Sequence, residues 1–393
     1  MVSGGCWFLG AVDYIFQNGY LFITVYLMLF WGGGDLGGDY IKMFLGSWLL
    51  SGFVVFFICS GWVSADTECP VVSSIGGDRR ANNNTLRLMQ YNVEWLFIDY
   101  YAAMDCPGNG CTWKNASEAQ THLDYIVKRI RDINPDIINF CEIEGCDELN
   151  MLKDALGGGG SGEYSSYLKK GTDTATGQNV GMLTRIDPLK SLYRTEMHYN
   201  YPIMGSKCGY TGAVDSTGVS KHYITEFQWD GENVAFISAH FIAIPTDPAR
   251  CAQREAQASV IQAVIADYVS REWEIVMIGD FNDYDAEVVD LNGDKPISFV
   301  LDILKGLYGD YAGKYRLHSI AETIVQSERY SDWWDSDNNC NTASQKDYSM
   351  IDHILVSDYM FSKLRGAFIY HEYAEFCGKY DSDHYPVVVD FVF

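Results

Sequence analysis

Five short apolar runs in this chain border polar side chains that can do chemistry. Asn92 follows LRLMQY, Glu142 follows DIINFC, His240 follows VAFISA, Asp280 follows EIVMIG, and Asp383 with His384 precedes PVVVDF. Carboxylates bind hard divalent cations, amides hold phosphate oxygens, and imidazoles move protons near neutral pH, so the set has the parts of a metal-assisted phosphoester hydrolase. Gly279-Asp280-Phe281-Asn282-Asp283 is the strongest single motif, because a tight turn after a strand presents an acid and an amide two positions apart on one side. Alone, Asp and Asn in such a place are ordinary turn formers. Ser382-Asp383-His384-Tyr385-Pro386-Val387 adds an acid beside an imidazole, and Ile351-Asp352-His353-Ile354-Leu355 adds an acid at the entrance to another apolar run. Their co-occurrence shifts the reading from turn chemistry to catalysis.

These residues must be positioned by something. Runs this short, apolar and β-branched read as buried strands, and strand ends along one rim of a sheet gather sequence-distant side chains into one pocket. Ser117-Glu118-Ala119-Gln120 reads as a capping box, after which Leu123, Ile126, Val127, Ile130 and Ile133 recur at helical spacing until Pro135. A second helix is expected from about Ala249 to Arg271, with Ala256, Val260, Val264 and Tyr268 on one stripe. Each helix feeds a strand, DIINFC and EIVMIG respectively, while VGMLT, HYITEF, VAFISA and HILVS read as further strands. The expectation is a mixed sheet or sandwich flanked by helices, in one domain over residues 86–393 after a polar linker, 66–85. The run Gly157 to Gly162 reads as a flexible loop, since it lacks the GK[ST] ending of a phosphate loop.

With 393 residues, 48% of them hydrophobic, the chain can bury a substantial core. Its 28 Lys+Arg against 52 Asp+Glu give a net charge of -24, which disfavours unaided attraction to polyanions, so a phosphate substrate needs local positive charge such as a bound metal. Met43 to Ala65 is apolar, ends on small residues, and reads as a signal peptide, with an uncleaved membrane anchor as the alternative. Residues 1–42 form an extension with a second apolar stretch, YLFITVYLMLFW. Nine cysteines follow the leader, so at least one is unpaired within the chain, and Cys106 and Cys111 are spaced for a small loop staple. The sequons at Asn83 and Asn115 agree with a secretory setting.

The order QYNVEW, CEIE, SAHF, GDFND, MIDHILVS, SDHYPV resembles the endonuclease/exonuclease/phosphatase superfamily, with its deoxyribonuclease I-like fold, over about residues 86–393. The resemblance implies an α/β fold, a four-layer sandwich of two mixed sheets packed face to face with flanking helices. It also implies one Mg²⁺-dependent site on a rim, with Mn²⁺ able to replace Mg²⁺. Glu142 resembles the main metal ligand and Asn92 its amide partner near metal and phosphate; Glu94 and Asp383 resemble further acids of the metal site. Asp280 resembles the acid that orients or deprotonates the attacking water, and Asn282 an amide on a phosphate oxygen. His384 resembles the imidazole beside the scissile phosphate, oriented by Asp352, and His240 the second imidazole, on phosphate or leaving oxygen.

Two departures weigh against DNA. Gln178 or Asn179 stands where related members set a glutamate beside the His240-type imidazole, leaving His240 as a phosphate binder, and Lys221 stands where they use a phosphate-binding arginine. Trp333-Trp334 read as packing, and Arg250 and Arg254 as a solvated helix face. The reading is a secreted phosphoesterase that cleaves a phosphodiester, with nucleic acid as first substrate. A phospholipid headgroup, cleaved by a sphingomyelinase-like phospholipase C or a phosphoinositide phosphatase of the same superfamily, is the enzymatic alternative, and a binding protein on the same fold the non-enzymatic one. No obligate protein partner is expected, and a membrane enters only if the N-terminal apolar segment stays attached.

Overall fold

Both helices expected from apolar spacing form, and each joins two parallel strands in the middle of a sheet. The computed structural model describes residues 8–17, 20–29, 68–69, 77–98, 113–157, 163–335, 339–341, 344–373 and 380–393. Met1–Trp62 and Val63–Phe393 are separate units. The first contains an antiparallel hairpin of Phe8–Gln17 with Tyr20–Leu29. The expected leader, Met43 to Ala65, and the expected staple of Cys106 and Cys111 lie outside the described residues. Among the described residues no helix is long and apolar enough to cross a membrane.

The main elements of the second unit, in chain order, are β1 (Thr85–Leu96), α1 (Ala116–Ile133), β2 (Ile137–Ile143), α2 (Cys146–Gly157), β3 (Ser165–Leu168), β4 (Asn179–Thr184), β5 (Lys221–Trp229), β6 (Glu232–His240), α3 (Pro248–Ser270), β7 (Glu274–Asp280), β8 (His318–Ser319), β9 (Asp352–Val356), β10 (Leu364–Ile369) and β11 (Val387–Val392). They form a six-stranded sheet in the order β10-β11-β1-β2-β4-β3 and a five-stranded sheet in the order β8-β9-β7-β6-β5. Within these sheets only β1/β2 and β6/β7 are parallel, and α1 and α3 are the long crossovers such pairs require.

Side-chain alternation builds the layers. On β1, Leu86 and Leu88 face the other sheet, where they join Phe236, Ile278 and Ile354 in one buried cluster. Met89, Tyr91 and Val93 face the opposite way, onto Ile126, Val127 and Ile130 of α1. On β7, Val276 and Ile278 point inward while Ile275 and Met277 pack with Val260, Ile261 and Ile265 of α3. Helix, sheet, sheet and helix therefore stack in four layers, and strands buried on both faces explain why the runs read as continuously apolar.

The start of α1 differs from the expectation. Its N-cap is Asn115, whose side chain accepts from Glu118 N at 3.0 Å, while the Glu118 carboxylate accepts from Lys114 N, so the box is Asn115–Glu118 and not Ser117–Gln120. Asn outranks most residues as a cap because its short side chain reaches the free amides of the first turn. Helix α3 starts on Asp247 as N-cap with Pro248 in its first turn.

The segment before β1 is tied to the domain: Cys69 is bonded to Cys146, and Arg79 grips Asp187 through two contacts of 2.7 Å. Cys208 is bonded to Cys251, Cys340 is also disulfide-bonded, and Cys141 is a buried free thiol.

Candidate active site

Because β1 and β2 run parallel, their C-terminal ends reach the same rim, where Asn92 lies opposite Cys141. Beyond that point both strands lose register, and Glu94, Trp95 and Glu142 adopt left-handed backbone, with φ of 45°, 50° and 66°. Such distortion costs on the order of 1–3 kcal/mol per residue and re-aims side chains, as bulges near functional sites commonly do. Part of that cost is offset by Trp95 N, which donates to Glu142 Oε2 at 3.1 Å.

The second parallel pair keeps its register to the end. His240 lies opposite Asp280, and Asp280 lies opposite Asp352 on the antiparallel neighbour β9. Gly279 permits this approach: its φ is +152°, and a Cβ there would sit 1.9 Å from Ala239 O.

Between the sheets, the Asn92 amide donates to Asp280 Oδ2 at 3.0 Å and to Glu142 Oε1 at 3.4 Å. His240 Nε2 lies 3.6 Å from Asp280 Oδ2 and 4.0 Å from Glu142 Oε1. Asn282 N donates to Asp280 Oδ1 at 2.9 Å, and its side-chain amide donates to Phe241 O at 3.2 Å. On the other side, His384 Nδ1 is 2.7 Å from Asp352 Oδ2, which fixes the ring. His384 Nε2 has Asp332 Oδ1 at 3.6 Å and Asp383 Oδ1 at 3.9 Å. Asp383 N donates to Glu94 Oε2, and Ser382 Oγ to Asn92 O. Thus Asn92, Glu94, Glu142, His240, Asp280, Asn282, Asp352, Asp383 and His384 meet in one network.

Lys221 lies opposite His240 on β5, but its ammonium is turned to Gln178 Oε1 at 3.1 Å and Asp173 Oδ2 at 3.8 Å. Neither amide expected beside His240 hydrogen-bonds to it. Gln178 accepts from Lys221, Asn179 spans Gly171 N and Glu144 O, and His240 Nδ1 is buried without a hydrogen-bond partner. Arg254 is not on a solvated face either: it is 0% exposed, because Asp283 and a set of loop carbonyls satisfy its guanidinium inside the protein. Trp333 is buried, as packing requires, whereas Trp334 is 68% exposed.

Three further residues of the site carry no motif in the sequence. Gln90 and Ser331 hold Asp352, at 3.0 and 2.9 Å, and Asp332 faces His384. Gln90 offers a faint signal, a lone amide inside the apolar run LRLMQY; Ser331 and Asp332 sit in SDWWD, where no pattern marks them.

Burial, strengthened by the charge of Asp352, pushes Asp280 up to about 8. Burial likewise raises Asp383 to about 7 and Asp332 to about 6. Burial opposes a charge on His384, but Asp352, Asp383 and Asp332 outweigh it and hold the imidazole well above its usual value. His240 moves the other way, well below, through burial and then the charges of Lys221 and His384. The site therefore combines a stabilised imidazolium, a neutral imidazole and more carboxyl groups than it can comfortably ionise.

Such an acid excess suits a divalent cation. Asp280 and Asp352 converge on one side of His384, and Asp332 and Asp383 on the other; a charged imidazole has no lone pair to offer, so the carboxylates are the donors an ion would use. Asp383 Oδ1 is buried without a hydrogen-bond partner, and the donors are hard oxygens, so the residues fit Mg²⁺ or Mn²⁺.

A search of curated proteins returned no match. Among solved structures, a 3′ phosphatase from Neisseria bound to product DNA hairpin is similar at 15% identity and TM-score 0.50, over 78% of this chain and 100% of that one. A mannosyl-6-phosphatase from Bacteroides thetaiotaomicron is similar at 17% identity and TM-score 0.47, over 78% of this chain and 100% of that one. A 3′-5′ exonuclease from Neisseria meningitidis is similar at 16% identity and TM-score 0.49, over 78% and 100%. The model of the endonuclease/exonuclease/phosphatase family matches residues 89–384, three quarters of the sequence, and the cluster of acids and imidazoles lies within that span. The chain belongs to the endonuclease/exonuclease/phosphatase family.

Proposed function

We propose that the protein is a secreted phosphodiesterase that uses Mg²⁺, or Mn²⁺ in its place, to hydrolyse a phosphoester at this rim. One observation carries the reading: the network that joins Asn92, Asp280 and His240 across two sheets to an Asp352–His384 pair, with uncompensated carboxyl groups at its centre. Glu142, Asp383, Asn92 and Glu94 would hold the metal, and the Glu142 and Asp383 side chains keep 16% and 20% of their surface open to arriving groups. When bound, the ion supplies positive charge that offsets the charge on the phosphoryl oxygens.

The chain's own residues do the rest. Asp280 acts as the base in its carboxylate form, which the hydrogen bonds from Asn92 and Asn282 N to its two oxygens favour against the burial that pushes it up, and which the charge of a bound cation would favour further; in that form it orients a water and takes its proton. The Asn282 amide and neutral His240 bind phosphate oxygens, with Lys221 behind them as a point charge. His384, charged and braced by Asp352, offsets negative charge as the leaving oxygen departs. Disulfides Cys69–Cys146 and Cys208–Cys251 support an oxidising, extracellular destination.

Nucleic acid remains the first substrate to test, because exposed Trp334 adjoins Trp333 and Asp332, and an indole face stacks on bases. Against a long polyanion stand the internal pairing of Lys221 and Arg254 and the net charge of -24. The test is Mg²⁺-dependent hydrolysis by residues 66–393, wild type beside His384→Ala, on single-stranded DNA, RNA, sphingomyelin, a phosphoinositide and a sugar phosphate. Turnover of one nucleic acid, lost in the variant, is the expected result. Turnover confined to lipid or sugar phosphate would refute the nucleic-acid assignment, and turnover of none would refute the enzyme.

A further inference from the structure

Arg254, in the first half of α3, is fully buried and spends its guanidinium on two segments that flank the candidate site. Its Nε donates to Asp283 Oδ2 at 3.0 Å, one residue beyond Asn282. Its terminal nitrogens donate to the carbonyls of Ile242 (3.1 Å), Ala243 (3.4 Å), Ile244 (2.9 Å) and Pro245 (2.7 Å), four consecutive residues of the loop that leaves β6 after His240. That loop has little else to hold it. Ile242 N reaches Gln257 Oε1, again from α3, and Asp247 N reaches Ile244 O at 3.3 Å.

The loop also stores strain. Ile244 is β-branched, 50% exposed, and held at φ 69°, a conformation that such a residue adopts only when its surroundings impose it. The guanidinium imposes it by gathering four carbonyls around one planar fork. A lysine in this place would keep the charge opposite Asp283 but could not reproduce the fork.

The two segments touch each other through the reaction machinery: the Asn282 amide donates to Phe241 O, and Phe241 N donates to Asp280 O. We infer that Arg254 is a positioning residue, which locks the loop Ile242–Pro245 against the Asp280–Asp283 turn and thereby sets His240, Asp280 and Asn282 relative to one another. The catalytic consequence rests on the phosphoesterase reading; the clamp itself does not. A small displacement of reacting groups costs rate far more than it costs binding, so the expected loss is in kcat.

The test compares Arg254→Lys with the wild type by hydrogen exchange of residues 241–247, and by kcat and KM for bis(p-nitrophenyl) phosphate in Mg²⁺, measured well below the melting transition. Faster exchange at Ile242 and Asp247 is expected, with kcat lowered about tenfold and KM within about twofold. Ile244→Gly supplies a variant that relieves strain: its melting temperature should not fall, its loop should exchange faster, and its kcat should drop in the same direction. Unchanged loop exchange in Arg254→Lys would overturn the clamp whatever the protein hydrolyses. A lowered melting temperature with unchanged kcat in Arg254→Lys, or a mobile loop with unchanged kcat in Ile244→Gly, would reduce Arg254 to a structural residue and overturn the inference. If the wild type hydrolyses no phosphoester, the phosphoesterase reading and the catalytic consequence fall together, and loop exchange still decides the clamp.

Discussion

The two parallel strand pairs do the same topological job and end differently. At the first pair, β1 and β2 dissolve into shifted register, and Glu94, Trp95 and Glu142 take left-handed backbone. At the second, β6 and β7 stay in register up to His240 and Asp280, and strain is displaced into the loop and turn beyond the strand ends, at Ile244 and Asn282. The contrast matches the chemistry proposed for each side. A Mg²⁺ ion keeps several of its waters and takes only one or two carboxylates from the protein, so an irregular, partly open rim that leaves room for water suits it. Proton transfer needs groups held to within fractions of an ångström, which regular strand ends provide better than loops.

The sharpest way to break this contrast is to remove one carboxylate from each side. Asp280→Asn should lower kcat by roughly 10³-fold, since general-base catalysis contributes on the order of 10²–10⁴, and added Mg²⁺ should not restore it. The same change should leave the melting temperature equal or higher, because it replaces a buried acid already pushed up to about 8 with a neutral isostere. Steady-state kinetics and a thermal melt on one preparation check both halves. Gly279→Ala attacks the register itself. With its Cβ forced to within 1.9 Å of Ala239 O at a φ of +152°, it should cost about 3 kcal/mol in denaturant unfolding. A loss below about 1 kcal/mol would mean that the strands separate easily there. Glu142→Gln, on the irregular side, should be milder: the Mg²⁺ concentration for half-maximal rate should rise about 10- to 100-fold, with kcat largely recovered at saturation.

The smallest effect probes the edge of the regular side. His222, beside Lys221 on β5, is fully buried and uses both ring nitrogens as a neutral imidazole would, Nδ1 toward Val219 O and Nε2 accepting from Thr195 N. Burial, aided by Arg194, lowers it to about 3. The unfolded chain binds a proton below the ordinary value of about 6.5 and the folded chain does not, so stability is complete above that pH and declines as pH falls from there toward 3, by about 1.4 kcal/mol per unit at most. Unfolding free energies at pH 7, 6 and 5 should fall less steeply in His222→Gln. Equal slopes would show that His222 takes up its proton as readily in the folded protein as in the unfolded chain.

Most of the rim is legible in the sequence because buried strands announce themselves by apolar runs, and a polar residue at the end of such a run is conspicuous. Asn92, Glu142, His240, Asp280 and His384 all stand out that way, and the network unites them. The four layers follow from the family resemblance, since apolar runs do not say which strands face each other. The features that the sequence hides depend on long-range packing. Asp332 and Ser331 sit at a two-residue strand without periodicity, and only the fold brings them to His384 and Asp352. Arg254 misleads for a related reason: a charge on a helix is usually solvated, and nothing local reveals four loop carbonyls and an aspartate waiting for it. The amides of Gln178 and Asn179 are not partners of His240 because Lys221 and the backbone capture them.

The most direct measurement is a Mg²⁺ titration of phosphodiester hydrolysis started from chelator-treated protein, with wild type, Glu142→Gln and Asp280→Asn run side by side. The expected result is no rate without metal, a wild-type curve that saturates, a Glu142→Gln curve displaced to higher Mg²⁺, and an Asp280→Asn curve that stays flat. Hydrolysis that survives the chelator, or two variants that respond to Mg²⁺ alike, would contradict a metal-holding side and a proton-moving side meeting at one site.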